Sequence, residues 1–225
     1  MKISFASKPP VVLFRLDEVD PQLDAALEAA FWQRIDGDWQ RDYPADAPLL
    51  DRVMLTFSAY GERMIRQMGG LDPIPWERAL EAWADRAQAA GITWWLTGSG
   101  ATALRVPAVT PHDLDVMVDP AQIDLVRQTF ADALIDPLLD TGGWVVRSFG
   151  VLFLHARIDI ASDPLPSVDD PVPSDFGPYA ASHLETVVWR GHIIRVPPLS
   201  LQAEVNHRRG RIARAKQIER VIGPG

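Results

Sequence analysis

The sequence predicts an α+β, or mixed α/β, fold in which helices flank a small mixed β-sheet. Helix and strand patterns alternate through the middle of the chain, which is typical of this class. Hydrophobic residues make up 47% of the 225 residues and charged residues 23%, so the chain can bury a sizeable core. This length suits one domain with an arm at each end. We divide the chain into a helical N-terminal region (1–74), a central domain (75–200) and a basic C-terminal helix (201–225).

The N-terminal region is predicted to be mostly helical. An apolar run at residues 11–16 fits a short edge strand, and Pro21 opens a helical pattern with Asp20 as its N-cap. Residues 36–48 contain glycine and two prolines and are predicted to be a loop. Residues 49–68 are apolar at helical spacing, and two glycines stop this helix.

The central region alternates between the two periodicities. The predicted order is helix, strand, Gly-Ser turn with a short helix, strand, helix and two further strands (75–90, 92–96, 98–104, 114–118, 120–133, 144–146 and 151–160). A turn near Gly150 would join the last two strands, and five prolines indicate a loop at residues 163–178. A hairpin is predicted at residues 186–196, and then a basic helix from residue 199 with a break at Gly210.

Charge and composition limit the classes of function. The formal net charge is -8, with 22 basic against 30 acidic residues, which is unsuited to a general nucleic-acid coat and gives no support to an RNA substrate. There is no cysteine, which excludes disulfides, zinc-thiolate sites and thiol nucleophiles. The sequence has no apolar run of membrane-spanning length and no signal-peptide pattern at its start, so we expect a cytoplasmic protein.

Two aspartates stand where one strand is predicted to begin. Asp113 and Asp115 are separated by one residue, so both side chains point to the same face, about 6–7 Å apart at the backbone. Carboxylate oxygens are ligands that Mg²⁺ prefers, and converging carboxylates can bridge the two ions of a phosphoryl-transfer site. A single Asp-x-Asp pair more often caps a strand or turn, so its weight depends on what precedes it.

A glycine-serine turn precedes the two aspartates. Gly98, Ser99 and Gly100 follow a predicted buried strand and open a short helix. Exposed backbone N–H groups and the helix dipole favour an anion at such a turn, and glycine lets a phosphate approach closely. The pattern therefore places a candidate anion cradle just before a candidate metal site.

Together these motifs resemble the DNA polymerase β-like nucleotidyltransferase superfamily. Its pattern is an apolar residue with Gly-[Gly/Ser], a gap, and two acidic residues that alternate with apolar ones. Leu96, Gly98 and Ser99 match the first part, and Asp113 and Asp115 match the second. The resemblance covers about residues 75–200 and implies the nucleotidyltransferase fold.

The resemblance also implies a reaction and its ligands. A third carboxylate from a later strand is expected, and Asp159 fits that place in an apolar strand. Asp113, Asp115 and Asp159 would hold two Mg²⁺ ions, with Mn²⁺ as an alternative, and would carry the catalysis. The expected reaction transfers a nucleoside monophosphate from a nucleoside triphosphate to a hydroxyl of a small molecule, a protein or an RNA, and releases pyrophosphate.

The expected phosphate contacts depart from the superfamily pattern at one position. Related sequences often carry arginine four residues before the first aspartate, where this chain has Val109. We expect Gly98 and Ser99 to bind the nucleotide, with Arg105 as the nearest basic substitute. Relatives also use a basic residue of the C-terminal helix, for which Arg211 and Lys216 are the candidates.

Two other functions stay open at this stage. With Val109 at the arginine position, the chain could be a catalytically weakened nucleotidyltransferase-like module that regulates or binds, such as one component of a toxin–antitoxin pair. Alternatively, residues 1–74 could dock a partner protein while the α/β part serves as a scaffold. Binding of a magnesium–nucleotide complex separates the first alternative from an active enzyme.

Overall fold

The structure is a computed structural model and describes residues 1–223. Its N-terminal part forms a four-stranded antiparallel sheet: β1 (Lys2–Lys8), β2 (Val11–Asp17), β3 (Gln33–Ile35) and β4 (Asp38–Pro44). The strand order is β1-β2-β4-β3, and a short helix, α1 (Asp24–Ala29), lies between β2 and β3.

The prediction of a mostly helical N-terminal region is therefore wrong for the four strands within residues 1–44, whereas the predicted helix after Pro21, with Asp20 as its N-cap, is confirmed. The segment predicted as a loop contains β4, in which Trp39 and Tyr43 are buried while Asp42 faces solvent. This strand is held by pairing with β2, a long-range interaction that outweighs the local turn pattern. The run at residues 11–16 is a strand as predicted, but it lies inside the sheet, paired on both sides.

Two long helices follow as predicted, α2 (Leu50–Met68) and α3 (Trp76–Ala90). The helix α3 ends at Gly91, whose left-handed conformation suits a residue without a Cβ. Trp83 of α3 is fully buried and stacks on Phe130 with the ring centroids 4.5 Å apart. These helices cover the central sheet and join it to the N-terminal sheet in one hydrophobic cluster.

The central sheet confirms the predicted small mixed sheet and the α+β class. It contains β5 (Trp94–Thr97), β6 (Leu114–Val118), β7 (Leu134–Asp140), β8 (Val146–Leu154) and β9 (Ala156–Pro164), in the order β5-β6-β9-β8-β7. The strands β6 and β9 are parallel, and the other neighbours are antiparallel. Two short helices connect strands of this sheet, α4 (Gly98–Ala103) and α5 (Ile123–Thr129).

The sequence pattern missed one strand of this sheet and misplaced one turn. The edge strand β7 contains Pro137, which cannot donate a ladder hydrogen bond and makes the segment a poor strand candidate. The turn between β8 and β9 lies at His155, whereas Gly150 is inside β8. A side chain at Gly150 would lie 2.6 Å from the backbone of Leu138, so this glycine allows close strand packing instead of a turn.

The remaining elements lie beyond the central sheet. A short helix α6 (Pro178–Ser182) precedes the predicted hairpin of β10 (Glu185–Trp189) and β11 (His192–Val196). The helices α7 (Leu199–Arg208) and α8 (Ile212–Ile222) follow, and the predicted break is confirmed at Gly210, where φ is +69°. The division of the chain at residues 74 and 200 stays a prediction.

Within residues 1–223, the structure has no helix that combines the length and the apolar character needed to cross a membrane.

Candidate active site

One row of residues crosses the whole central sheet and carries the predicted carboxylates. Thr97 of β5 pairs with Asp115 of β6, and Asp115 pairs with Asp159 of β9. The row continues through Val151 of β8 to Asp136 of the edge strand β7. Paired residues of adjacent strands lie on the same face, so Asp115 and Asp159 project side by side.

The structure brings the three predicted carboxylates together. One oxygen of each of Asp113, Asp115 and Asp159 lies within 4.8 Å of those of the other two, and all three residues are half-buried. Asp113 and Asp115 come from the start of β6, and Asp159 comes from the parallel strand beside it. Sequence spacing predicted the first pair, and the parallel pairing of β6 with β9 adds the third carboxylate.

These carboxylates destabilise one another's charged forms. Burial raises the pKa of Asp115 well above its ordinary value, and the charges of Asp113 and Asp159 raise it further. Burial likewise raises the pKa of Asp113, with Asp159 acting in the same direction. Carboxylates that lie this close and are partly desolvated favour a cation between them.

Arg157 holds the third carboxylate in place. It lies two residues before Asp159 on β9, and its Nε and Nη2 donate to the two carboxylate oxygens at 2.5 and 3.0 Å. Burial lowers the pKa of the Arg157 guanidinium, but Asp159 and other nearby carboxylates outweigh this and raise it overall. A bidentate pair fixes the orientation of the carboxylate and leaves lone pairs on both oxygens for another ligand. The i, i+2 spacing on a strand could have identified Arg157 from the sequence.

Gly98 leaves room for the Asp115 carboxylate. Its φ is +59°, and a Cβ at this position would lie 2.1 Å from Oδ2 of Asp115. The residue therefore has to be glycine for two independent reasons, the backbone conformation and the adjacent oxygen. The predicted contact of Gly98 with a nucleotide phosphate stays a prediction, but its position beside the carboxylates agrees with it.

Arg105 does not line the cleft at the carboxylates, which counts against its expected phosphate contact. Its guanidinium donates to Glu185 Oε2 at 2.6 Å, to the carbonyl of Pro197 at 2.6 Å and to Gln202 Oε1 at 2.9 Å. The buried Gln202 in turn donates to the carbonyl of Gly98 at 2.9 Å. Arg105 thus acts on the Gly98 turn through Gln202, with both of its terminal nitrogens already engaged.

Val109 has a structural use in place of the superfamily's arginine. It is buried and forms a small apolar cluster with Val106, Ala203 and Ile218. This cluster attaches the segment before Asp113 to helices α7 and α8. An arginine at this position would place a charge in an apolar contact. Valine instead packs against α7 and α8 and helps to hold these helices in place.

Those helices bring arginines to the site. Arg209 Nη2 lies 3.7 Å from Oδ1 of Asp175, a buried residue that lines the same cleft. Burial raises the pKa of Asp175, while Arg209 and Arg211 act against that rise. Burial lowers the pKa of Arg214, while Asp113, Asp115 and Asp175 act in the opposite direction.

Not all of the predicted phosphate contacts lie equally close. Arg211 and Lys216 are both exposed, and neither lines the cleft. They differ in that the charge of Arg211 acts on Asp113. Ser99 is buried at the start of α4, next to Gly98, and its expected contact with the nucleotide stays a prediction. Arg214, Arg209 and Asp175 had no distinguishing sequence pattern, because their position depends on how the chain after β9 folds back.

The carboxylates lie in a cleft with a volume of about 790 Å³. One side is formed by Gly98, Asp175 and Arg209. The opposite wall comes from the N-terminal part of the chain and includes residues of α1, β4 and the end of α2 (Ala26, Ala29, Ala30, Phe31, Arg41 and Met68). The N-terminal and C-terminal parts of the chain both contribute to this cleft.

A second buried carboxylate, Asp136, joins the N-terminal sheet to the central sheet. Tyr43 donates from its hydroxyl to Oδ1 of Asp136 at 2.6 Å, and Arg41 Nη1 lies 2.9 Å from Oδ2. Burial raises the pKa of Tyr43 well above its ordinary value, and the charge of Asp136 adds to this. Both Asp136 oxygens are therefore paired, in contrast to the oxygens of Asp113 and Asp115. No local pattern predicts a contact between residues 93 positions apart.

The chain is similar to several solved structures. No protein-family model matches the chain, and a search of curated proteins gives no match. Three of the similar solved structures give the level of similarity. A Thermotoga maritima protein named as a nucleotidyltransferase is 20% identical over 63% of this chain and 89% of its own, with a TM-score of 0.46.

The other two structures are adenylyl-transfer proteins. The lincosamide antibiotic adenylyltransferase LnuA, with lincomycin bound, is 16% identical over 64% of this chain and 98% of its own, with a TM-score of 0.44. ANT(2″)-Ia, in complex with adenylyl-2″-tobramycin, is 12% identical over 65% of this chain and 90% of its own, with a TM-score of 0.43. At such low similarity these structures decide neither substrate nor activity, and we base the functional proposal on the chain's own residues.

Proposed function

We propose that the chain is a divalent-metal-dependent nucleotidyltransferase that moves a nucleoside monophosphate from a nucleoside triphosphate to a hydroxyl group. The observation that supports this proposal is the convergence of Asp113, Asp115 and Asp159 beside the Gly98 turn in one cleft. Three oxygen ligands of high negative charge suit Mg²⁺, or Mn²⁺ as an alternative, and two ions fit this donor set. Bound there, the metal supplies charge neutralisation at the phosphates.

The chain's own residues position the carboxylates and the triphosphate. Asp113 and Asp115 present their carboxylates from one strand, and Arg157 fixes the direction of Asp159. Gly98 and Ser99, with Arg211 from the C-terminal segment, are the proposed contacts of the triphosphate. Lys216, which lies on the same helix as Arg214, is the weaker candidate: both it and Arg211 are exposed, but it is the charge of Arg211 that acts on Asp113.

The proposed reaction is an in-line displacement. The acceptor oxygen forms a bond to the α-phosphorus, and the bond from this phosphorus to the bridging oxygen of pyrophosphate breaks. The hydroxyl proton passes to Asp159 or to water, and pyrophosphate leaves with the electron pair of the broken bond. Since nucleoside triphosphates are cytoplasmic metabolites, the proposal keeps the expectation of a cytoplasmic protein.

Pyrophosphate release tests the proposal. The purified protein is incubated with Mg²⁺, each of the four nucleoside triphosphates and a panel of hydroxyl compounds, beside the Asp115→Asn variant. Release that requires an acceptor and is lost in the variant supports the proposal. Release that is unchanged in the variant contradicts it. Metal-dependent nucleotide binding without release would instead favour the regulatory module, whose partner would be sought among toxin–antitoxin proteins.

A further inference from the structure

The cleft has two chemically different ends on either side of the carboxylates. The end at β5 adjoins Arg209 and Asp175, and the C-terminal segment brings Arg211 and Arg214 close enough for their charges to act on nearby carboxylates. This is the basic end, and a triphosphate fits there. The other end of the cleft is left for the second substrate.

The wall formed by the N-terminal part begins beside Asp159. Nη1 of Arg157, the residue that binds Asp159, lies 3.6 Å from the sulfur of Met68 at the end of α2. Arg41 donates to the carbonyl of Ala30 at 3.2 Å, so β4 and the end of α1 continue the same wall. A molecule placed against this wall therefore has Asp159 at one end.

The surface around this end is apolar. Three alanines, Phe31 and Met68 make up the wall with Arg41 (Ala26, Ala29 and Ala30 are the alanines). The floor continues the sheet two residues beyond the carboxylate row, through the paired residues Met117, Ala161 and Phe149. Such a surface binds an apolar body and offers few polar contacts.

Two aromatic side chains are exposed on this cleft. Phe31 is 73% exposed, and its φ of +62° is rare for a residue with a Cβ. Trp144 is 54% exposed and makes an edge contact with Phe149 at 6.1 Å between centroids. Large exposed aromatic rings beside a pocket are typical of ligand contacts.

The carboxylates of the cleft are engaged elsewhere. Asp136 is paired with Arg41 and Tyr43, and Asp175 with Arg209, while the remaining three converge as the proposed metal ligands. Among the described residues that line the cleft, this leaves no carboxylate on the apolar wall to neutralise an amine. A polycationic acceptor would lose its hydration there without gaining an ion pair.

Resting on the function proposed above, we propose that the acceptor is a small uncharged hydroxyl compound with an apolar or aromatic body. Its body lies against the wall formed by α1, β4 and the end of α2, in contact with Phe31, and its hydroxyl reaches Asp159. This class excludes polyamines and amino sugars of high positive charge.

A matched pair of probes tests this acceptor class. Calorimetry measures the binding of naphthaleneethanol and of its ammonium analogue, naphthaleneethylamine, to the full chain with Mg²⁺ and a non-hydrolysable triphosphate analogue present. The two probes share their ring and differ in charge. We expect the alcohol to bind at least about tenfold more tightly, because the ammonium has no counter-charge on the wall.

Two exposed positions provide matched variants. Phe31→Asn removes the ring and suits the left-handed backbone, so it keeps the fold, and it should weaken alcohol binding by about fivefold. Leu55→Asn changes an equally exposed apolar residue that does not line the cleft and should leave binding unchanged.

Three results would overturn the inference: equal or tighter binding of the ammonium probe, no binding of either probe, or no effect of Phe31→Asn. The function proposed above is checked separately by titrating the magnesium complex of each of the four nucleoside triphosphates into the protein and into Asp115→Asn. Metal–nucleotide binding that persists while the alcohol fails to bind rejects the acceptor class alone. If the unmodified protein binds no metal–nucleotide complex, the proposed function itself is rejected.

Discussion

Two positions in one row of the central sheet hold a carboxylate in opposite ways. At the edge strand, both oxygens of Asp136 are paired, one with the Tyr43 hydroxyl and one with the Arg41 guanidinium. In the middle of the sheet, Asp115 lies beside Asp113 and Asp159, and burial and its neighbours raise its pKa. Removing one partner of a paired, buried carboxylate destabilises a fold, whereas carboxylates that repel one another cost stability and are typical of binding sites.

Replacing Asp115 should have the largest effect on activity and should not weaken the fold. Asp115→Asn removes a metal ligand, so we expect transfer to fall by at least about 10³-fold, which corresponds to about 4 kcal/mol. The same variant removes a repelled charge, so its urea midpoint at pH 8 should equal or exceed that of the unmodified protein. If Asp115→Asn were less stable and still catalysed transfer, both expectations would be contradicted.

The opposite outcome is expected at the edge strand β7. Asp136→Asn leaves the Arg41 guanidinium without its counter-charge, so we expect the free energy of unfolding to fall by about 3 kcal/mol. Urea denaturation measures this loss. Asp42→Asn changes an exposed carboxylate on β4 next to Arg41 and serves as the control, with a change below about 0.5 kcal/mol. If both variants were equally stable, Asp136 would have no structural role.

Gly98 tests how tightly the turn fits the carboxylate. Gly98→Ala should cost about 1–2 kcal/mol of unfolding free energy from its left-handed backbone alone, and the new Cβ would also displace the Asp115 carboxylate. Gly70→Ala is the matched control, because Gly70 has a φ of +72° with no atom near the added Cβ. We expect both variants to lose stability in denaturation, but only Gly98→Ala to lose metal binding. If the two variants bound metal with equal affinity, metal binding would tolerate the displacement of the Asp115 carboxylate.

Metal should relieve the repulsion in a manner that depends on pH. The raised pKa values of Asp113 and Asp115 mean that, between the ordinary value of 3.8 and the raised values, the folded chain binds more protons than the unfolded one. The contribution of these groups to stability is therefore present below the ordinary pKa and lost as pH rises through the raised ones. Thermal melts should show Mg²⁺ stabilising the protein by about 1–3 kcal/mol at pH 8 and by less at pH 5. Stabilisation that did not vary with pH, or that persisted in Asp115→Asn, would place the ion elsewhere.

The smallest expected effect separates two basic residues of the C-terminal segment. Arg211→Ala should raise the KM for the triphosphate by about three- to tenfold, because one charged hydrogen bond to phosphate is lost. Lys216→Ala should change this KM by less than about twofold, since Lys216 is exposed and the charge that acts on Asp113 is that of Arg211. Steady-state kinetics with both variants decides between them. A larger effect at Lys216 would show that α8 moves towards the cleft when nucleotide binds.

The candidate site was largely predictable from the sequence because its main motif is local. The strand β6 is found at the predicted residues 114–118, and the i, i+2 spacing of Asp113 and Asp115 fixes their common face. Asp159 followed from the superfamily pattern, and the parallel pairing of β6 with β9 places it beside Asp115. Periodicity therefore located β6, whereas the predicted strand at residues 151–160 contains Asp159 but crosses the turn between β8 and β9.

The parts that the sequence did not predict depend on long-range contacts. The strand β4 alternates a buried Trp39 and Tyr43 with polar residues, but its glycine and proline neighbours indicate a loop. The strand β7 contains Pro137, and its buried Asp136 is explained only by Arg41 and Tyr43 from the distant N-terminal sheet. Arg105 and Lys216 were chosen for charge and position alone, and neither property reports whether a side chain faces the cleft.

The most direct test of the central claim is anomalous diffraction from a crystal of the protein soaked with Mn²⁺ and a non-hydrolysable nucleoside triphosphate analogue. We predict an anomalous peak within bonding distance of oxygens of Asp113, Asp115 and Asp159, with the triphosphate beside Gly98. Manganese bound elsewhere, or a nucleotide bound away from these three carboxylates, would contradict the claim.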